Sequence, residues 1–198
     1  MKIVGIVAEY NPFHAGHRYH IAETRRRIGG DCAVVAVMSG NFVQRGECAV
    51  TDKWSRARMA LEGGADLVLE LPTVWAAASA EHFAFGAVSI LKAAGANVLS
   101  FGSESGSSQS LKQVAAALDS GEFQAGLRKY LNQGLPFAVC RQRAVEELIG
   151  ADGAACLSNP NDNLGVEYLK AARRLAFHPD VIAVPRVGAG HDGGDHPE

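Results

Sequence analysis

The chain has 198 residues, of which 47% are hydrophobic and 20% are charged, and its formal net charge is −2. This length and composition are typical of a globular protein with one sizeable core, or of a domain with an appendage. The small net charge excludes a polycation that binds nucleic acid through its overall charge. Any RNA contact must therefore come from a local patch.

The sequence favours a cytoplasmic protein without membrane contact. Its four cysteines lack a CxxC pair, which is typical of reduced thiols in a cytosolic protein. The first apolar run is too short for a signal peptide. Residues 74–95 are rich in apolar residues, but Glu81, His82 and Lys92 interrupt them. That stretch therefore predicts a buried helix and not a membrane span.

A histidine pair lies where a predicted strand gives way to a predicted helix. An apolar run over residues 2–8 predicts a buried strand, and helical spacing over 15–28 follows a strand-breaking Asn-Pro pair. His14 and His17 lie at the start of that helix, where unpaired N–H groups favour an anion. Two imidazoles there can donate hydrogen bonds to a triphosphate and to a leaving pyrophosphate.

The spacing of His14 and His17 also has plainer explanations. Histidines three residues apart can cap a helix or bind a metal, and the capping role stays open on the sequence alone. A metal site is disfavoured, because no Cys or His cluster nearby completes a ligand set.

Strands and helices alternate along the rest of the chain. Further strands are predicted at 32–38, 66–71, 98–101 and 181–184, and further helices at 52–62, 79–94, 112–118, 122–131, 141–149 and 158–174. This order predicts an α/β fold, a Rossmann-like parallel sheet with helices on both faces and an added helical segment. Such sheets bind ligands at the carboxyl ends of their strands. The polar, glycine-rich segments fall at those ends, at 9–17, 39–46 and 102–106.

The elements divide into four predicted regions. Residues 1–106 form a nucleotide-binding α/β core, 107–150 form a helical insertion, and 151–187 add a helix and a strand that complete the core. Residues 188–198 are rich in Gly, His and Asp and lack a packing pattern, so we expect a disordered tail.

Several segments together resemble one family, the bacterial tRNA(Met) cytidine acetate ligases of the HxGH nucleotidyltransferase superfamily. The segments, in the order of the family, are Gly5–His17, Met38–Glu47, Gly64–Pro72, Phe101–Glu104, Pro160–Leu169 and Arg186–Asp192. The chain differs from the usual pattern at Asn163 and His191, where the family has an aliphatic residue and a tyrosine. Members of the family are about twice as long, so the resemblance covers their N-terminal half and we expect the C-terminal half to be absent.

Members of that family use ATP and acetate to make acetyl-adenylate, then transfer the acetyl group to the wobble cytidine of elongator tRNA(Met). The resemblance implies this ligase activity, with ATP as co-substrate, Mg²⁺, acetate and elongator tRNA(Met). It implies an ATP site formed by Val7, Ala8, Glu9, Tyr10, Asn11, Pro12, Phe13, His14, Ala15, Gly16, His17, Arg18, Tyr19, His20, Gly102, Asn161 and Arg186. The expected catalytic residues are His14, His17, Glu9 and Asn41, and we expect no protein-bound metal.

Each of these residues has an ordinary structural alternative. Glu9 can be a solvated carboxylate at a strand end, and Asn41 can be a plain turn residue. Gly102 can simply end its strand, and N-capping of a helix accounts for Asn161. Arg186 is the exception. It follows the last predicted strand, at the sheet edge where the other site residues lie, and a guanidinium there suits phosphate recognition.

Two other functions remain open on the sequence. One is an adenylyltransferase for a small-molecule acceptor, and the other is a non-catalytic nucleotide-binding fragment. Since the C-terminal half of the family is expected to be absent, we expect this chain to bind ATP without acetylating tRNA.

The two tryptophans, Trp54 and Trp75, are expected to pack in the protein. The candidates for RNA contact are arginines, namely Arg25, Arg26, Arg27, Arg56, Arg58, Arg141, Arg143, Arg173 and Arg174.

Overall fold

Five parallel strands form one sheet in the order β3-β2-β1-β4-β5. The structure is a computed structural model, and it describes residues 1–186. The strands are β1 (Lys2–Ala8), β2 (Cys32–Ser39), β3 (Leu67–Leu71), β4 (Val98–Ser103) and β5 (Asp180–Pro185). The helices are α1 (Ala15–Ile28), α2 (Lys53–Glu62), α3 (Thr73–Ala76), α4 (Ala80–Ala93), α5 (Ser108–Leu118), α6 (Gly121–Leu131), α7 (Phe137–Ala154) and α8 (Pro160–Arg174).

The first strand is central because it pairs with another strand at each of its edges, and both of its faces are covered. Val4 pairs with Val34 of β2 on one side and with Val98 of β4 on the other. On one face of the sheet, Val4 and its neighbours pack against Ile21 of α1. Helices α4, α5 and α8 cover the opposite face. The predicted Rossmann-like fold with helices on both faces is thereby confirmed.

The helical segment after β4 packs mainly on α8. Arg141 of α7 donates to Glu167 of α8 over 2.6 Å, and Arg173 of α8 donates to Asp119 after α5 over 2.8 Å. The predicted helix at 141–149 begins earlier in the structure, directly after Pro136. The boundary predicted at 150 coincides with a kink at Gly150, where a non-helical φ of 79° separates this helix from a second helical stretch that ends at Ala154.

Local signals set most helix ends. Asp52 caps α2, with its carboxylate accepting the Ser55 N–H at 2.9 Å. Trp75 packs against Gly86, where a Cβ atom would lie 2.4 Å from the indole. The same expectation for Trp54 is wrong, because 76% of this residue is exposed on the first turn of α2.

Within residues 1–186, no helix has the length and apolar character needed to span a membrane. The predicted disordered tail at 188–198 and the departure at His191 lie outside the residues that the structure describes.

Candidate functional site

A cleft of about 1020 Å³ opens at the carboxyl edge of the sheet. It is lined by the ends of β1, β4 and β5, the turn Gln44–Gly46, and the first residues of α1, α4 and α8. All five strands run parallel, so their carboxyl ends share one edge. The cleft therefore lies at the edge where the sequence predicts a ligand site.

The two histidines of the HxGH motif hold each other at the start of α1. The His14 ring accepts the Gly16 N–H at 3.1 Å, and the His17 ring accepts the His14 N–H at 3.2 Å. In both rings the accepting atom is Nδ1. The rings stack with their centroids 3.7 Å apart. The capping role that the sequence left open is thus present, and it fixes how the rings face the cleft.

These hydrogen bonds also fix the charge and the tautomer of the pair. An Nδ1 atom that accepts a backbone N–H leaves the proton of a neutral imidazole on Nε2. Burial, followed by the charge of Arg186, lowers the pKa of His14. Burial, with contributions from His14, His20 and Arg186, lowers the pKa of His17 to about 3. Near neutral pH the pair therefore offers two neutral Nε2–H donors to the cleft.

His20, one turn further along α1, has a different role. Its Nε2 atom lies 2.9 Å from the Ser100 hydroxyl, which in turn lies 2.7 Å from the Thr24 hydroxyl. Burial lowers the pKa of His20 to about 4. The ring lines the cleft but is tied to β4, so it positions α1 against the sheet.

Glu9 is held at the end of β1 by two contacts. Its carboxylate accepts the Gln44 N–H at 2.7 Å, and its carbonyl accepts from the Arg56 guanidinium at 2.7 Å. Arg56 is completely buried and also donates to the carbonyls of Thr51, Ser39 and Gly40. One guanidinium therefore braces the strand ends and loops on this side of the cleft.

The proposal that Arg56 contacts RNA is wrong, since none of its surface is exposed. Desolvation by burial lowers its pKa, while nearby acidic side chains oppose this shift. Sequence reasoning missed its bracing role, because an arginine in a helical pattern is usually exposed.

The far wall of the cleft carries the other predicted nucleotide residues. Gly102 leaves open space where a Cβ atom would lie, so a ligand can approach its backbone. Arg186 follows β5, and its N–H donates to the Ser103 carbonyl over 3.1 Å. Asn161 lies in the first turn of α8 and donates from its side chain to Glu104 over 2.6 Å. The expectation that Asn161 could serve as the N-cap is wrong, since Asn159 occupies that position.

The structure brings most of the predicted ATP-site residues into one cleft. The predicted residues that line it are Val7, Ala8, Glu9, Tyr10, Asn11, Pro12, His14, Gly16, His17, Tyr19, His20, Gly102, Asn161 and Arg186. The predicted residues outside this lining are Phe13, Ala15, Arg18 and Asn41.

Two of these residues have evident structural contacts. The Phe13 ring packs edge-on to Tyr10 at 5.0 Å and fills the space beside Gly63. Asn41 is exposed, and its carbonyl accepts the Ala49 N–H at 3.0 Å.

Several cleft residues were not predicted. Tyr168 and Phe83 come from helices on the face of the sheet opposite α1, and Gln44 comes from the turn after β2. Both aromatic residues sit in apolar helical patterns that are also typical of core packing, so the sequence carried no separate signal for them.

Most of the arginines proposed for RNA contact bond to acidic side chains within the protein. Those with a carboxylate partner are Arg25, Arg26, Arg27, Arg141, Arg173 and Arg174. Over the described part of the chain, no group of three or more His, Cys, Asp or Glu side chains is placed to hold a metal ion.

The sequence matches the HIGH Nucleotidyl Transferase family over residues 1–196. The chain belongs to this family. Within the HIGH nucleotidyl transferase fold seen here, the histidine pair occupies the β1–α1 turn and faces the cleft.

Curated relatives of this HIGH nucleotidyl transferase confirm the resemblance stated from its motifs. It is 46% identical to the tRNA(Met) cytidine acetate ligase of Caldicellulosiruptor saccharolyticus, covering 96% of this chain and 47% of the relative. It is also 46% identical to the tRNA(Met) cytidine acetate ligase of Syntrophotalea carbinolica, covering 96% and 46%. The chain thus spans about half the length of the curated relatives it matches.

Solved structures agree with the fold. Thermotoga maritima TmcAL bound with alpha-thio ATP superposes with a TM-score of 0.88 at 43% identity, covering 95% of this chain and 47% of that one. An apo form of the same protein superposes with a TM-score of 0.91 at 41% identity, covering 100% and 48%.

Proposed function

We propose that this chain provides the ATP site of a tRNA(Met) cytidine acetate ligase. In this proposal it activates acetate as acetyl-adenylate, and the acetyl group then passes to the wobble cytidine of elongator tRNA(Met) in the cytoplasm. The observation that carries the proposal is the superposition of 95% of the chain on TmcAL bound with alpha-thio ATP, and the histidine-lined cleft at the sheet edge supports it.

The cleft is suited to ATP on both of its walls. The triphosphate lies over the start of α1, where the helix dipole favours negative charge. The neutral His14 and His17 donate from Nε2 to the phosphates, and Arg186 adds a permanent positive charge. The adenosine lies against Gly102 and the first turn of α8 near Asn161. This arrangement gives a role to five residues that line the cleft, namely His14, His17, Gly102, Asn161 and Arg186.

The first step joins acetate to the nucleotide. An acetate oxygen attacks the α-phosphorus, the bond to the bridging oxygen breaks, and pyrophosphate leaves with the electron pair. His14 and His17 stabilise the negative charge that grows on the leaving pyrophosphate. Neutral donors suit this task, because they need no proton transfer to act.

The second step transfers the acetyl group. The exocyclic amine of cytidine attacks the acetyl carbonyl carbon and loses a proton, and AMP leaves. The amine must be unpaired to reach the cleft, which suits a base in an RNA loop. In this proposal Glu9 acts on the acetyl side of the reaction; its carboxylate lines the cleft and accepts the Gln44 N–H.

Mg²⁺ fits this site as a companion of the nucleotide. This ion is usually held by substrate phosphates together with one or two carboxylates. Among the lining residues that the structure describes, Glu9 is the only carboxylate. We therefore propose that the ATP phosphates supply most of the ligands, with Glu9 on the protein side, and that the ion neutralises phosphate charge.

Acetate-dependent exchange of labelled pyrophosphate into ATP tests the proposal. We expect exchange with acetate and none without it. An adenylyltransferase for another small acceptor would exchange only with that acceptor. A non-catalytic nucleotide-binding chain would bind ATP in a titration and exchange nothing. Either of the last two results would contradict the ligase proposal.

A further inference from the structure

The first turn of α4 opens on the cleft with uncapped N–H groups. Ser79 is its N-cap residue, but its side chain makes no capping hydrogen bond. The Ser79 hydroxyl instead lies 3.0 Å from the His82 ring. Among residues 1–186, no acceptor is found for the N–H groups of Ala80, Glu81 and His82. Ser79 and Ala80 both line the cleft, so a 14-residue helix presents its positive end there.

A tyrosine of α8 also lines the cleft and offers a hydroxyl donor. Tyr168 of α8 is only 3% exposed, and its ring packs 5.8 Å from that of Phe101. The residue lines the cleft, and its hydroxyl has no hydrogen-bond partner among the residues that the structure describes. The ring is held in place by burial and its hydroxyl makes no bond to the described residues, so the hydroxyl is available to a ligand in the cleft.

Tyr168 remains a hydrogen-bond donor at any working pH. Burial raises its pKa, and the negative charge of Glu9 raises it further. The carboxylate of Glu9 is already held by the Gln44 N–H at 2.7 Å. The hydroxyl proton is therefore available to an anionic oxygen that enters the cleft.

The surroundings of this donor set are apolar and tight. Phe83 is 1% exposed and Phe101 is 3% exposed, and both line the cleft together with Leu164. A ligand that satisfies the α4 amides and the Tyr168 hydroxyl must therefore present a negative oxygen pair at one end. Its other end must be small and apolar.

We propose that the α4 N-terminus and the Tyr168 hydroxyl bind the carboxylate of acetate, with its methyl group against Phe83 and Phe101. This proposal rests on the proposed ligase function and names the acetate subsite within it. It separates two anion sites in one cleft, since the nucleotide phosphates lie at α1 and the carboxylate lies at α4. The apolar wall limits the acid to a short chain.

Two substitutions remove single donors. Tyr168→Phe deletes only the hydroxyl. Ala80→Pro deletes only the first N–H of α4, and proline suits this first helical position. Ser79 has the extended φ of −61° and ψ of 159° that a following proline requires. The matched control is Tyr130→Phe, whose hydroxyl contacts Glu147 away from the cleft.

The variants are compared in the 198-residue chain by pyrophosphate exchange at varied acetate and at varied ATP. We expect each test variant to raise the KM for acetate by about tenfold, which is typical for one hydrogen bond to a charged group. The KM for ATP should be unchanged in the test variants, and Tyr130→Phe should keep the wild-type KM for both substrates. An unchanged KM for acetate in Tyr168→Phe would overturn the proposal. So would an equal rise in the KM for ATP, because the donors would then serve the nucleotide.

A direct binding measurement separates this proposal from the proposed function. Broadening of the NMR signal of ¹³C-labelled acetate is followed with wild type and Tyr168→Phe, in the presence of a non-hydrolysable ATP analogue. If wild type shows no exchange but binds acetate, and Tyr168→Phe binds it more weakly, the subsite stands and the ligase function fails. Equal binding by both proteins, or by neither, overturns the subsite. If Ala80→Pro does not fold, Tyr168→Phe decides alone.

Discussion

Acid should destabilise this protein before its carboxylates titrate, because two cleft histidines resist protonation. The folded protein lowers the pKa of His17 from 6.5 to about 3 and that of His20 from 6.5 to about 4. The Nδ1 atom of His17 already accepts a backbone N–H, so protonation there also breaks the cap of α1. Both effects favour proton uptake by the unfolded chain over uptake by the folded protein.

The sign and size of the effect follow from linkage. Above pH 6.5 both states hold these rings neutral, so the free energy of unfolding does not depend on them. Below pH 6.5 the unfolded chain binds more protons, and each histidine costs about 1.4 kcal/mol of stability per pH unit. At pH 5 the loss is about 2 kcal/mol for each ring and about 4 kcal/mol for the pair. That is a large part of a typical folding free energy of about 5–15 kcal/mol.

Urea unfolding at pH 7, 6 and 5 measures this loss. His17→Gln and His20→Gln should each remove about half of the pH dependence, and the double variant should remove most of it. His178→Gln, which removes an exposed histidine outside the cleft, is the matched control. Stability that stays constant from pH 7 to pH 5 would refute the depressed pKa values. If the unfolding free energy of the double variant still falls with pH as steeply as that of wild type, the protons are taken up by other groups.

Three further substitutions test the roles of single residues. His17→Ala should lower the rate of acetate-dependent exchange about 100-fold with little change in ATP affinity; an unchanged rate would remove the phosphate role. Asn161→Ala should weaken ATP binding in a titration while the melting temperature stays nearly constant. A lowered melting temperature with normal binding would instead mean that the residue only holds Glu104 in place. Arg56→Met should lower the urea unfolding free energy by about 3 kcal/mol or more, because buried carbonyls lose a charged donor; a loss below about 1 kcal/mol would contradict its bracing role.

Much of the fold was predictable because the central strands of a parallel sheet are buried on both faces. Such strands are continuous apolar runs, as in β1 and β2, and they are hard to mistake for surface elements. The parallel order then places all strand ends at one edge. The histidine pair, Gly102 and Arg186, which the family resemblance implies as parts of one ATP site, lie in sequence where such strand ends are predicted.

What the sequence could not specify depends on contacts between distant segments. Arg56 is buried only because three loops bring their carbonyls to it, and no local pattern indicates this. Tyr168 has the spacing of an ordinary core residue, although its hydroxyl faces the cleft. Trp54 shows the opposite error, since a large apolar residue on an amphipathic helix was expected to pack and is exposed.

The central claim is that acetate attacks the α-phosphorus of ATP in this cleft, and oxygen labelling tests it most directly. The protein is incubated with ATP and acetate labelled with ¹⁸O on both oxygens, with hydroxylamine to trap the activated acetyl group. If acetyl-adenylate forms, the attacking oxygen stays on phosphorus when the acetyl group leaves. The account therefore predicts acetohydroxamate together with AMP that carries one ¹⁸O atom. Unlabelled AMP, or AMP formation that does not depend on acetate, would contradict it.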